Sequence, residues 1–187
     1  GTSSCKCVAF GFEGDIVAKA VVPHEGRDKY KEELDSEMLW LSFVKAVNET
    51  VKDVRVGHVD ALAISSHGET IIPLDANLKP AYRALLNSDN RSSESITLWE
   101  REFGWDRIYE ITGLPLHAMY SLPKLRWYRY NLPEQFVRTC KYMPVTSYIL
   151  HRLGFPPAVD PTIASRTMGL DLRTRAWNEP FFEYAGV

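Results

Sequence analysis

The chain has 187 residues, enough for one domain with a sizeable core, and its 45% apolar and 25% charged content is that of an ordinary globular protein. A formal charge of −2 gives no electrostatic reason to expect nucleic acid or an anionic membrane as partner. No apolar run reaches membrane-spanning length, no signal peptide is legible, and three cysteines without metal-ligand spacing fit reduced, buried thiols in the cytoplasm.

The chain opens, without a start methionine, on Gly1-Thr2-Ser3-Ser4. Two β-like runs follow, Cys5–Phe10 and Ile16–Val22, joined through Glu13-Gly14-Asp15 as a hairpin. The opening turn suits a nucleotide phosphate: Gly lets the backbone approach, hydroxyls donate hydrogen bonds and the nearby Lys6 ammonium adds charge. The same residues are also those of a frayed terminus. Asp35 or Ser36 caps a predicted helix in which Met38, Leu41, Val44, Val47 and Val51 recur at three- and four-residue steps. Asp60–Ser66 reads as a third strand, Thr70–Leu74 as a further one ending in the turn Asp75-Ala76-Asn77, and Tyr82–Leu86 follows. From Ser92 onward the chain reads as mostly helical, over Ser92–Glu102, Trp105–Ile111, Lys124–Tyr130, Glu134–Thr139, Thr146–Leu153 and Glu179–Tyr184. Gly113-Leu114-Pro115, Pro133, Gly154 to Pro157 and Pro161 punctuate these helices. The order predicts a mixed α/β domain whose first two strands are antiparallel. It resembles the ribonuclease H-like fold of sugar kinases, actin and heat-shock-type ATPases, a mixed sheet with flanking helices.

Three segments could carry chemistry. Ser65-Ser66-His67-Gly68-Glu69-Thr70 lies just past an apolar run, where open α/β sheets place ligands. Gly68 permits close approach and Glu69 can accept two hydroxyls of a polyol; a solvated connection accounts for the segment equally well. Asp89-Asn90-Arg91 could hold a diol, although a helix N-cap with a surface ion pair explains it somewhat better on local grounds. The hydroxyl-rich Asp160 to Thr167 could be a loop packed tightly against the sheet or a substrate-side wall, and structural support is the better reading. His24, His58, His117 and His151 show no ligand spacing, and the aromatics read first as core, except that Met119-Tyr120-Ser121 could place an aromatic ring to stack on a sugar.

Taken in order, these segments resemble the N-terminal domain of the FGGY carbohydrate kinases, the gluconokinase, xylulokinase and glycerol kinase group. Gly1-Thr2-Ser3-Ser4-Cys5-Lys6 is similar to the opening Asp-x-Gly-Thr-Ser/Thr-Ser turn of that family. Asn87 to Arg91 is similar to its Trp-x-Asp-x-Arg segment, with Asn87 in place of Trp. Ile111 to Pro115, Lys124 to Trp127, Asn131 to Glu134, Tyr148 to Gly154, Asp160 to Thr167 and Trp177 follow in the family's order over essentially the whole chain.

The resemblance implies a two-domain kinase that holds a sugar and MgATP in the cleft between its domains. It implies phosphate-binding by Gly1, Thr2, Ser3 and Lys6, and acceptor-binding by His67, Gly68, Glu69, Asp89, Arg91, Met119 and Tyr120. The partner implied is a small sugar, polyol or sugar acid, with no nucleic acid and no membrane; homodimer formation by the complete protein stays open. No catalytic base and no metal ligand are expected within residues 1–187. The aspartate that precedes the Gly-Thr turn would fall before Gly1, and the general base and the adenosine-site glycines are expected beyond Val187. The chain is therefore expected to be one domain of a longer enzyme, inactive by itself. Gly68 stands where glycerol kinases carry Arg, and Glu69 where xylulokinases carry His, so the acceptor stays open. The alternative is a non-catalytic actin- or heat-shock-like ATPase-fold or interaction domain, with a plain oligomerisation module behind it.

Overall fold

In the computed structural model, which describes residues 1–25, 32–54 and 58–187, the chain begins as a hairpin. Strand β1 (Ser4–Phe10) pairs antiparallel with β2 (Ile16–Pro23), Cys5 opposite Val22 and Cys7 opposite Ala20. Gly14 makes the connection at φ +84°, where a Cβ would be strained. Side chains alternate across a strand, so Cys5, Cys7 and Ala9 share one half-buried face with the buried Ala18 and Val22. Lys6, Val8 and Phe10 point the other way and are exposed.

Helix α1 (Ser36–Lys52) packs across the half-buried face of the hairpin. Asp35 is its N-cap and accepts from the backbone N–H groups of Glu37 (3.0 Å) and Met38 (3.2 Å). The buried stripe is Leu39, Phe43, Ala46 and Thr50, one position round the helix from the predicted one; Leu41 and Val51 face solvent. The larger Leu39 and Phe43 fill the core, and Thr50 tolerates burial because its hydroxyl donates to the Ala46 carbonyl at 2.9 Å.

Two short ladders form the centre. Strand β3 (Glu33–Leu34) pairs with β5 (Ala84–Leu85), and β4 (Ile71–Leu74) pairs with β6 (Lys141–Pro144), both antiparallel. Their period-two alternation divides the interior into two cores. Ile71 and Leu85 join Trp99, Ile108, Leu122, Leu125, Tyr128, Met168 and Phe181 on one side. Ile72, Leu74, Ala84 and Leu86 join Leu34, Leu39, Phe43, Met143 and Tyr148 on the other.

The helices are α2 (Ser93–Phe103), α3 (Trp105–Thr112), α4 (Ser121–Asn131), α5 (Pro133–Arg138), α6 (Val145–Arg152), α7 (Pro161–Ser165) and α8 (Glu179–Ala185). All six helices expected after Ser92 are present. Strand β6 and helix α7 lie outside the expected elements. After α8, Gly186 turns at φ +94° and the backbone N–H of Val187 donates to the Phe182 carbonyl at 3.0 Å, which ties residue 187 to the helix.

One predicted strand is absent. Residues 58–67 form no regular secondary structure and make no backbone-to-backbone hydrogen bond among the described residues, and Val59 and Leu62 are 62% and 55% exposed. An apolar run becomes a strand only where a neighbour supplies its ladder, and none pairs with it here. The cysteines are all free, but Cys140 is exposed rather than buried. No helix is long and apolar enough to cross a membrane among the described residues.

Candidate functional site

The polar residues gather where the two cores meet, at the start of β4 and along one face of α4. Glu69 lies two residues before β4 and is only 6% exposed. Its Oε1 accepts from Arg166 Nε at 2.7 Å and also from Arg166 Nη2. Arg166 arrives from the C-terminal end of α7, a helix whose N-cap Asp160 accepts from Thr162 N at 2.8 Å and Ile163 N at 3.2 Å. The guanidinium lies 5.1 Å from the centre of the Tyr120 ring. A narrow crevice too tight for water, lined by Glu69, Ile71, Leu85, Ser121, Lys124 and Tyr128, runs from Glu69 into the interior.

Asp89 is fully buried rather than part of a surface ion pair. Its Oδ1 accepts from Arg91 N at 2.8 Å, and its Oδ2 from Arg91 Nε at 2.7 Å and Nη2 at 2.6 Å. Arg91 Nη2 also donates to Glu33 Oε1 at 2.9 Å, and the guanidinium stands over the Trp127 ring at 5.0 Å. Asp89 is thus occupied in holding Arg91, and the half-buried Arg91 is the member of the pair presented outward.

Lys124 links the two carboxylates. It is 3% exposed on α4, its ammonium donates to the Leu86 carbonyl at 2.6 Å, and both Asp89 and Glu69 act on its charge. Burial pulls its pKa down to about 8, and the two carboxylates resist that change.

His67 connects this cluster to the start of the chain. Both its ring nitrogens are buried without a hydrogen-bond partner. Burial brings the imidazole down to about 4, so it is neutral at pH 7. Glu69, Lys124 and His24 also act on it, and through His24 the Gly1 end lies within electrostatic range of the Glu69 cluster. His24 is buried and hydrogen-bonds Gly1 O through Nε2 at 3.0 Å, while its backbone N–H donates to Ser3 O at 3.0 Å. Gly1 and Ser3 are exposed and Thr2 is half-buried. Lys6 points to solvent from the face of β1 opposite α1.

The structure therefore brings His67, Gly68, Glu69, Asp89 and Arg91 into one region beside the opening turn. Of the other expected residues, Tyr120 is buried with its ring under Arg166, and Met119 is the half-buried one open to a ligand. Three residues of the cluster are absent from the sequence-based expectation: Arg166, Lys124 and Glu33. Lys124 had a signal, a lysine among Leu122, Leu125 and Tyr128 on the inward face of a helix. Arg166 had a weaker one, a lone cation in a segment of small side chains. The two buried carboxylates, Glu69 and Asp89, are each engaged by an arginine. No group of three or more His, Cys, Asp or Glu that could hold a metal ion occurs among the described residues.

A family model described as the FGGY family of carbohydrate kinases, N-terminal domain, matches residues 1–187. A gluconokinase of Bacillus licheniformis is 29% identical over 192 residues, covering 100% of this chain and 37% of the relative. A glycerol kinase of Nocardia farcinica is 30% identical over 198 residues, covering 100% of this chain and 39% of the relative. The crystal structure of a gluconate kinase from Lactobacillus acidophilus superposes with a TM-score of 0.90 at 23% identity, over 100% of this chain and 38% of that one. That likeness shows the fold. The chain thus spans under two fifths of the length of these proteins.

Proposed function

Because the chain belongs to the FGGY family of carbohydrate kinases, we propose that it is the acceptor-side domain of an ATP-dependent kinase that phosphorylates a hydroxyl of a sugar, polyol or sugar acid. The observation that carries this reading is the gathering of Glu69, Lys124 and the Asp89–Arg91 pair: Glu69 and Lys124 line one crevice, and the Lys124 ammonium donates to the carbonyl of Leu86, just before Asp89. Glu69 Oε2, which has no protein partner among the described residues, accepts an acceptor hydroxyl. Arg91, held by Asp89 and Glu33, donates to another oxygen of the same molecule, and Met119 packs against its carbons. Arg is suited to that role because its fork stays fixed once two partners hold it.

The phosphate end is proposed for Gly1, Thr2 and Ser3, with Lys6 adding charge to the donor ATP. The turn fits that role chemically, since its glycine lacks a side chain and its hydroxyls are polar donors. The magnesium expected with ATP finds no donor set among the described residues, and no step is assigned to it on this chain. The group that takes the acceptor proton is proposed to lie beyond Val187, in the part of the complete kinase that residues 1–187 do not span. What this domain contributes is orientation: a hydroxyl held in place reacts far faster than a free one, by removal of translational and rotational freedom. The three free thiols suit a reducing compartment, so we place the protein in the cytoplasm.

The test is ATP-dependent phosphorylation by the complete protein across polyols, ketoses, aldoses and aldonates. One acceptor or a narrow group turned over is the expected result; no turnover of any of them by folded protein would remove the reading.

A further inference from the structure

We infer that Arg166 is the residue that positions Glu69 for the acceptor, and that Gly68 is without a side chain so that Arg166 can pass. The inference rests on the acceptor role proposed for Glu69 and adds a member to that site. Four observations carry it.

The first is the way the pair is joined. Arg166 Nε and Nη2 both donate to one oxygen of Glu69, Oε1. A parallel fork would occupy both carboxylate oxygens. Here Oε2 and Arg166 Nη1 have no protein partner among the described residues, so Glu69 keeps one acceptor oxygen free while Arg166 holds the other. The second is the support beneath the pair. The Arg166 guanidinium lies on the Tyr120 ring, and the Glu69 carbonyl accepts from Ser121 Oγ at 3.1 Å, so neighbouring residues of one segment hold both partners. The third is exposure: the Arg166 side chain is 35% exposed while that of Glu69 is 8% exposed, so the guanidinium is the outward member.

The fourth is steric. A Cβ placed on Gly68 would lie 2.6 Å from Arg166 Cγ and 2.7 Å from its Cβ. Those atoms are near the Arg166 backbone and cannot swing aside as a side-chain tip would. Gly68 and Arg166 are therefore coupled: a side chain at one excludes the present course of the other. Oε2 is thereby left as the carboxylate oxygen that can accept a hydroxyl, and Arg166 fixes where it stands.

The experiment uses the complete kinase with gluconate, glycerol and xylulose as acceptors and four single variants: Glu69→Gln, Arg166→Ala, Arg166→Lys and Gly68→Ala. Loss of a charge-assisted hydrogen bond predicts that Arg166→Ala raises the acceptor KM roughly 10- to 100-fold and leaves the ATP KM unchanged. Arg166→Lys recovers part of that loss, and added methylguanidinium restores Arg166→Ala toward the parent, which a repaired packing defect would not do. Gly68→Ala shifts the acceptor KM in the same direction, and the double variant Gly68→Ala/Arg166→Ala is no worse than Arg166→Ala alone. Should Arg166→Ala not fold, Arg166→Lys and Gly68→Ala carry the same comparison.

If Glu69→Gln raises the acceptor KM while the Arg166 and Gly68 variants do not, or if their effects simply add, the inference is overturned and the acceptor site stands. If Glu69→Gln changes nothing with an acceptor that the parent kinase phosphorylates, or no polyol, ketose, aldose or aldonate is phosphorylated, the acceptor role of Glu69 falls and the inference falls with it.

Discussion

The two ends of the candidate site differ in how much of their geometry this chain fixes. On the acceptor side, Glu69, Asp89 and Lys124 are 6%, 0% and 3% exposed, and each has a named partner: Arg166, Arg91 and the Leu86 carbonyl. On the donor side, Gly1, Ser3 and Lys6 are exposed, and the neighbouring run 58–67 forms no ladder. Burial explains the difference. A charge removed from water must be paired within its own domain, so the acceptor side is organised before any ligand arrives. A solvated turn carries no such requirement. Phosphate-binding turns work through backbone N–H groups and hydroxyls that water satisfies until the ligand replaces it.

The comparison is broken most severely at Asp89. Asp89→Ala leaves the half-buried Arg91 held by Glu33 alone and empties a buried site, and about 3–5 kcal/mol of stability should be lost. Chemical denaturation measures it. A loss under about 1 kcal/mol would mean that the acceptor side is not organised by its buried charges.

Two pH experiments come next. His67 is held at about 4 against an ordinary value of 6.5. Between those values the unfolded chain binds a proton that the folded one does not, so stability is full above pH 6.5 and falls as pH drops toward 4. The loss is on the order of 3 kcal/mol. His67→Phe should flatten the curve in that window.

Lys124 acts in the same direction but in a higher pH window. It is lowered to about 8 from 10.5, so at pH 7 both states are protonated and the buried ammonium costs about 3 kcal/mol. Stability should rise from pH 8 toward 10.5 relative to Lys124→Met, in which that rise is missing. Identical slopes in the two proteins would show that Lys124 is solvated. The smallest effect is on the donor side: Lys6→Ala should leave the melting temperature unchanged and raise only the ATP KM.

Local pattern made most of the elements legible. The hairpin, the α1 cap at Asp35 and all six later helices follow from alternation, helical spacing and Pro or Gly punctuation. The failures share a cause. Asp60–Ser66 has strand composition, but composition does not supply a pairing partner. Lys141–Pro144 is four residues between two helices, too short for alternation to register, and becomes a strand because Ile72 lies opposite Met143.

The site divides in the same way. Glu69 and Asp89-x-Arg91 stand out as local polar groups after apolar runs. Their partners are remote: Arg166 is 97 residues from Glu69, and Glu33 is 58 residues from Arg91. No spacing rule joins such pairs, because only the tertiary fold, with β3 paired to β5 and Arg166 brought in at the end of α7, puts them together. Lys124 carried a local signal, a lysine among Leu122, Leu125 and Tyr128, but only the packing of α4 shows that this face is buried.

The central claim is that the two ends of the site serve two different substrates, and the KM values of the complete kinase for acceptor and for ATP test it most directly. They should be measured in Glu69→Gln and Lys6→Ala side by side. The account predicts a crossed pattern: Glu69→Gln raises the acceptor KM roughly tenfold or more with the ATP KM unchanged, and Lys6→Ala does the reverse. If both variants move both KM values together, or Glu69→Gln moves only that for ATP, the division into an acceptor side and a donor side is wrong.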